Sequence, residues 1–322
     1  MKTNRIGGTD VKISHVSFGC SGLGNLGCKI SDAEAHAVLS SAWNNGVRYF
    51  DTAPHYGRGR SEQRLGGFLK GKRREDYVIS TKVGRLLSPG SGQHEADGFL
   101  EPLPNDVRYD YSAAGIDAAF EQSCARLGVS EIDILYVHDI GEYCHGAVAN
   151  EVHMDDFLSS GIAKLQELKA RGKIGAFGLG VNENEVCLEV MKHCDLDVIL
   201  LAGRLTLLDR SAEEELVGRC RDAGTSLVLG GIFNSGILAR GAVTGATYDY
   251  APPSEDIVNK VRALEANTQE YGISLATAAL QFAQHHPGVA SVLLGTTKVS
   301  SLTRNLDSIA APFPDEAKAL FV

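Results

Sequence analysis

Four side chains in this sequence carry groups suited to moving a proton at a substrate oxygen: Asp51, Tyr56, Lys82 and His138. A phenol, with a pKa near about 10, is a poor acid or base at neutral pH. An ammonium a few ångströms away favours the phenolate and lowers that value. Lys82 is suited to act on Tyr56 in this way, Asp51 to hold Lys82 charged, and His138 to bind and orient a substrate oxygen. Together they describe a proton-transfer site tuned for work near neutrality, with no nucleophile required. Taken singly, Asp51 and Lys82 read as an ordinary salt bridge and His138 as a satisfied polar tip. The case for chemistry rests on their positions relative to the strands.

Val47–Phe50 reads as a short buried strand that stops at Asp51, because Pro54 and Gly57 forbid a simple continuation. Tyr77–Lys82 reads as the next strand, and Ile132–Val137 as another, ending on His138. All four residues therefore fall at, or just past, strand C-termini. The remaining strands are expected at Val16–Phe18, Lys173–Leu179, Asp197–Leu201, Ser226–Leu229 and Val289–Leu294. Helical patterns separate them. One is capped at Ser31 with Glu34 three residues on, a spacing in which side chain and backbone satisfy each other's free donors. The others are expected at Glu62–Leu69, from Ser112 to Leu127, and over Asp156–Ala170, Glu183–His193, Ala212–Asp222, Ser254–Tyr271, Leu275–Gln284 and Ser301–Leu306. An N-terminal hairpin is expected from Arg5–Ile6 to Val11–Ile13, turning at Gly7 and Gly8.

Strands alternating with helices over this length predict a (β/α)8 TIM barrel, whose C-terminal mouth carries catalytic residues. A doubly wound sheet is the rival. The Gly-rich run Gly19–Gly24 imitates a dinucleotide fingerprint, but a helix stands where the acidic strand end would be needed. No repeat or linker divides residues 1–322, so one domain is expected. Gly84–Tyr111 and Asp139–Asp155 match no element and read as long loops walling the mouth.

The net charge of −9 argues against nucleic acid or an anionic membrane surface as a partner. The N-terminus lacks an apolar signal core, and no apolar run approaches the about 18 residues of a membrane span. Seven scattered cysteines read as reduced thiols of a cytoplasmic protein. Cys187, His193 and Cys194 on one predicted helix make a poor zinc set, and no metal is expected. Oligomeric state is left open.

Phe50–Gly57 (FDTAPHYG) with Ser61 and Glu62 after it, Ser80–Lys82 (STK) and Asp133–His138 (DILYVH) together resemble the aldo-keto reductases, over nearly the whole chain. Tyr111–Ile116, Leu201–Leu207 and Gly231–Leu238 resemble one branch, that of NAD-dependent aldose 1-dehydrogenases (galactose, fucose and D-threo-aldose types) and pyridoxal 4-dehydrogenase. The resemblance implies that Asp51, Tyr56, Lys82 and His138 form a catalytic tetrad. It further implies a nicotinamide cofactor across the mouth, and a small sugar or pyridoxal-like substrate. Asn182 matches the residue that holds the nicotinamide carboxamide. The usual neighbouring glutamine falls at Ala202 and the ring-stacking tyrosine near Gly230, where Phe233 or Leu205 would have to cover the ring. Asn234 and Leu238 correspond to the pyrophosphate loop, and Gly295, Thr296, Thr297, Ser301 and Asn305 to the adenosine-phosphate segment.

The family's NADP-using members present a lysine and an arginine at the positions of Gly295 and Ser301, so NAD is expected and NADP is the lesser alternative. Lys298 and Arg304 remain close by in sequence. The functional expectation is oxidation of a cyclic hemiacetal to its lactone. The alternatives are an NADPH-dependent carbonyl reductase, a nucleotide-sensing binding module, and a lyase forming a Schiff base through Lys82.

Overall fold

The computed structural model describes residues 1–321. Eight parallel strands close into a barrel: β1 Val16–Gly19, β2 Tyr49–Asp51, β3 Val78–Val83, β4 Ile132–His138, β5 Ile174–Val181, β6 Val198–Ala202, β7 Ser226–Gly230 and β8 Val289–Gly295. Each pairs with the next in sequence, and β8 closes on β1 through Val292–Val16 and Gly295–Gly19. The TIM barrel is therefore the architecture, and the doubly wound alternative is excluded.

Side chains of a strand alternate between faces. In β2, Phe50 points out and stacks on Trp43 with centroids 6.4 Å apart, while Tyr49 points into the barrel. Asp51 follows Tyr49 inward. In β4, Ile134 and Tyr136 point inward below His138. The barrel interior is a small apolar cluster of these residues with Ala176, Val198, Leu200 and Val228. Ile6 and Ile13 of the N-terminal hairpin (Thr3–Arg5 with Lys12–Ser14) join that cluster and plug the end of the barrel opposite the mouth. The larger core lies between strands and helices.

The helices follow the expected caps. Ser31 and Glu34 form a reciprocal box ahead of Asp32–Asn44, and Ser112 caps Ala113–Leu127. Helix Arg60–Leu69 follows β2, and Glu185–Val190, Leu216–Ala223, Glu255–Glu270, Leu275–His285 and Val299–Ala310 stand near their expected places. Among the described residues, no helix is long and apolar enough to cross a membrane.

Both segments expected as irregular loops are corrected. Within 84–111, Arg85–Pro89 pairs antiparallel with Asn105–Tyr109, and Glu95–Ala96 with Phe99–Leu100 around a left-handed Asp97–Gly98 turn. The segment after β4 is a helix, Glu142–Asp156, broken by a non-helical Gly146 and running through a π turn, Phe157–Gly161, into Ile162–Ala170. Among the described residues of Glu142–Asp156 only Asn150 is buried, so no hydrophobic stripe marks the helix in the sequence.

Candidate active site

Asp51 and Lys82 form an ion pair inside the mouth, Nζ to Oδ2 2.7 Å, with side chains 1 % and 2 % exposed. The lysine also donates to the Thr52 carbonyl at 2.8 Å, and Ser80 Oγ donates to Asp51 Oδ1 at 2.7 Å. Below them Tyr49 OH lies 2.9 Å from Ser80 Oγ and 3.0 Å from Tyr136 OH, a polar ladder rising from the barrel interior. Burial alone would lower the Lys82 pKa, but Asp51 and then Tyr56 more than offset it, so the ammonium is held above its ordinary range.

Tyr56 lies past the end of β2, with the Lys82 ammonium 4.8 Å from its ring centroid. Burial pushes the phenol up to about 12, and Lys82 pulls it back only in part. The expected sense of the lysine's action holds. The expected net result, a phenol already tuned to neutrality, does not, because desolvation exceeds the coulombic gain. His138 stands with its ring 5.9 Å from that of Tyr56. Burial, then Arg85, Lys82 and His55, hold its pKa well below the usual range, so the imidazole is neutral.

Three further residues join the tetrad around one cavity of about 400 Å³, and none was singled out from the sequence. Arg85, 5 % exposed, donates to Asp139 Oδ2 at 2.5 Å, and that oxygen lies 3.4 Å from His138 Nε2. His55 packs edge-on against Phe99 and His138, its pKa lowered to about 3 by burial first and then by Arg85, Arg58 and Lys82. Leu26, Phe99, Tyr143 and Tyr250 complete an apolar and aromatic rim. One signal was available in the sequence: the Asp97–Gly98 dipeptide, which favours the tight turn that brings Phe99 over the mouth.

Asn182 and Gly295 line this cavity together with Ala202 and Gly230, which carry little or no side chain. Gly295, Thr296, Ser301 and Asn305 line an adjoining cleft of about 640 Å³, with Phe233, Arg240, Glu265 and Arg304. The two spaces meet at Gly295 and suit an elongated ligand with a polar end. Thr297 packs against the turn after β1, where a β-carbon on Gly22 would approach its methyl to 2.8 Å. The Asn234 side chain is taken up by Thr206 Oγ1 at 2.6 Å and the Gly203 carbonyl at 3.0 Å, and Leu238 is fully buried. Their amides are bonded to the carbonyls of Gly231 and Phe233. These two residues therefore shape the loop, and line neither space.

A model of the Aldo/keto reductase family matches residues 15–321. The chain belongs to that family. It is therefore an oxidoreductase. It is 39 % identical to pyridoxal 4-dehydrogenase from Microbacterium luteolum, over 97 % of this chain and 94 % of the relative. It is 36 % identical to D-threo-aldose 1-dehydrogenase from a Pseudomonas species, over 94 % and 91 %. Among solved structures, an aldo-keto reductase from Bacillus halodurans in its holo form superposes with a TM-score of 0.76 at 25 % identity, covering 100 % of this chain and 95 % of that one.

Two outcomes follow for the tetrad of this oxidoreductase. On the expectation that Tyr56 is the proton-transfer group, Tyr56→Phe lowers turnover by at least about 10²-fold, while cofactor binding, followed by fluorescence titration, persists. Lys82→Met removes the charge that opposes desolvation of the phenol, so the phenolate forms at higher pH. The rise of kcat/KM with pH in the oxidative direction then shifts upward, as read from a pH-rate profile.

Proposed function

We propose that this enzyme oxidises a small cyclic hemiacetal to its lactone and passes the hydride to NAD. The observation that carries the reading is the intact tetrad opening onto a compact cavity that continues, past Gly295, into a cleft suited to the rest of a dinucleotide. The two relatives above, one acting on pyridoxal and one on an aldose, support the choice of substrate class.

A cyclic hemiacetal carries a hydroxyl and a hydridic C–H on the same carbon, so loss of both gives the lactone directly. Bound across the mouth, the oxidised nicotinamide supplies the hydride acceptor and a positive charge. Tyr56 takes the hydroxyl proton, and Lys82 stabilises the phenolate that receives it. Asp51 keeps Lys82 charged, which also removes it as a Schiff-base nucleophile. Neutral His138 orients the reacting oxygen by hydrogen bonding. Asn182, on the cavity wall after β5, is the residue suited to the carboxamide. Leu26, Phe99 and Tyr250 at the rim limit water at the reacting carbon.

The cofactor assignment rests on the cleft. Gly295 presents no side chain, and the Glu265 carboxylate lines the space shared with Ser301 and Asn305. A carboxylate there suits ribose hydroxyls and opposes a 2′-phosphate. One observation favours the second reading, an NADPH-dependent carbonyl reductase. Arg240 also lines the cleft, and Arg304 Nη2 lies 3.4 Å from Ser301 Oγ, so cations are within reach.

Two measurements test the proposal. Early product, trapped where the lactone is stable and read by mass spectrometry, is the lactone; free acid with no lactone at early times contradicts the direct route. Steady-state comparison gives kcat/KM at least about tenfold higher with NAD than with NADP, and Gly295→Lys with Ser301→Arg narrows or inverts the ratio. Equal efficiency, or a preference for NADP, overturns the NAD assignment and favours the reductase reading.

A further inference from the structure

The mouth cavity holds one ion pair that the tetrad does not use. Arg85 is nearly sealed, while the Asp139 side chain keeps 23 % of its surface exposed, and both line the cavity. Asp139 directly follows His138 and adopts a left-handed backbone, φ 46°, which an aspartate does not take without cost. Its amide donates to the Gly180 carbonyl at 3.0 Å, so the conformation is fixed by β5. The effect is to turn consecutive side chains toward the same cavity. Arg85 Nη2 then holds Asp139 Oδ2, which stands 3.4 Å from His138 Nε2. Of the other carboxylates on the cavity, Asp51 is committed to Lys82 and Ser80, and Asp97 sits at the exposed rim beside Arg58.

We infer that Asp139 is the specificity-determining residue of this site: it accepts a hydrogen bond from a neutral hydroxyl on the carbon next to the reacting one, which selects an aldose over pyridoxal. This rests on the hemiacetal reading above. With the reacting oxygen held at Tyr56 and His138, a carboxylate at this distance from His138 matches the spacing of oxygens on adjacent carbons. A sugar hydroxyl donates to it through a charge-assisted bond. The cyclic form of pyridoxal presents a different set. Its ring hydroxyl is acidic, lies one bond further from the reacting carbon, and as an anion is repelled by the carboxylate. Arg85 is a positioning residue, holding Asp139 against the wall and limiting its rotamers.

The test is a two-by-two comparison of wild type and Asp139→Asn, each with an aldose and its 2-deoxy analogue, with NAD saturating and pyridoxal run alongside. In wild type, loss of the 2-hydroxyl lowers kcat/KM by about ten- to a hundredfold, mainly through KM. In Asp139→Asn the aldose loses efficiency, the penalty for the missing hydroxyl shrinks to a fewfold, and pyridoxal gains relative to the aldose. A purely structural role lowers both sugars alike and leaves the deoxy penalty unchanged, which overturns the inference. Wild type alone decides if the variant fails to fold: oxidation of pyridoxal in preference to aldoses, or indifference to the 2-hydroxyl, also overturns it. Those results leave the hemiacetal reading standing, whereas wild type that oxidises no hemiacetal overturns both.

Discussion

The buried pair of Asp51 and Lys82 is the interaction on which the rest of the mouth depends. Moving either charge out of water costs several kcal/mol, roughly, and their attraction offsets this only if the remaining hydrogen-bonding capacity is met. The barrel meets it. Asp51 receives Ser80 from the neighbouring strand, and Lys82 gives a second proton to the Thr52 carbonyl. Tyr49 and Tyr136 carry the polar ladder into the interior, where a purely apolar barrel would have placed aliphatic side chains. The registers Asp51–Ser80 and Lys82–Tyr136 are what bring these groups to one level. A one-residue slip in any of the three strands would turn the charged ends to the outer face and leave the partner unpaired. Even the glycine at 180 fits this constraint, since a β-carbon there would press on the Lys82 stem at 3.3 Å.

From this pair follows the electrostatic character of the site. Burial first, and then Arg85 and Lys82, lower the pKa of both imidazoles, His55 and His138, with Arg58 adding its charge at His55, so both rings stay neutral. Each of these cations also has an acidic neighbour: Asp51, Asp139, and for Arg58 the more distant Asp97 and Asp106. The mouth is thus built of paired charges and neutral donors, a combination that polarises a substrate oxygen without drawing in an anion. The high pKa of the Tyr56 phenol belongs to the same balance. Desolvation favours the proton on oxygen, so phenolate formation depends on positive charge brought close at the moment of reaction.

The barrel was legible in the sequence because short apolar runs alternate with helical patterns. Asp51, Lys82 and His138 were expected at, or just past, strand C-termini, and they stand there in the structure. The residues that finish the cavity were not legible. His55, Arg85 and Asp139 are single polar residues in segments with no periodicity, and nothing in their spacing says that the ribbon Arg85–Tyr109 folds back over the mouth. The sign of the Tyr56 shift depended on the same closure. The neighbouring lysine gave the direction of its own effect, while the larger effect of burial appears only once Phe99 and His55 cover the phenol. Helix Glu142–Asp156 escaped for a related reason, since Val148 and Val152 point to solvent at 84 % and 61 % exposure and the pattern has no buried face. Asn234 and Leu238 show the converse. Their correspondence to a pyrophosphate loop was readable, but that the side chain of one and the amides of both are spent on internal bonds was not.

The division between a regular barrel and irregular loops also has a pattern in the backbone. Non-glycine residues with left-handed φ are Asn25, Arg58, Asp97, Glu101, Asp139, Asn234, Ser235, Asp249 and Tyr250 among the described residues. Every one of them lies in a segment that follows a strand at the mouth, after β1, β2, β3, β4 or β7. The opposite end turns corners with glycines such as Gly7, Gly128 and Gly224 instead. Such conformations cost of order 1–3 kcal/mol each and persist only where surrounding structure over-determines them. At the mouth those determinants are visible: Asn234 is held by Thr206 and Gly203, Asp139 by Arg85 and Gly180, and Tyr250 through its amide by Ser235. Glycine at any of these positions would relieve the backbone and forfeit the side chain. The mouth uses glycine turns as well, at Gly57, Gly84, Gly141 and Gly231 among others, but among the described residues it is the only end that also carries side chains on left-handed backbone, so the stability of the closed barrel is what sustains these strained, side-chain-bearing turns.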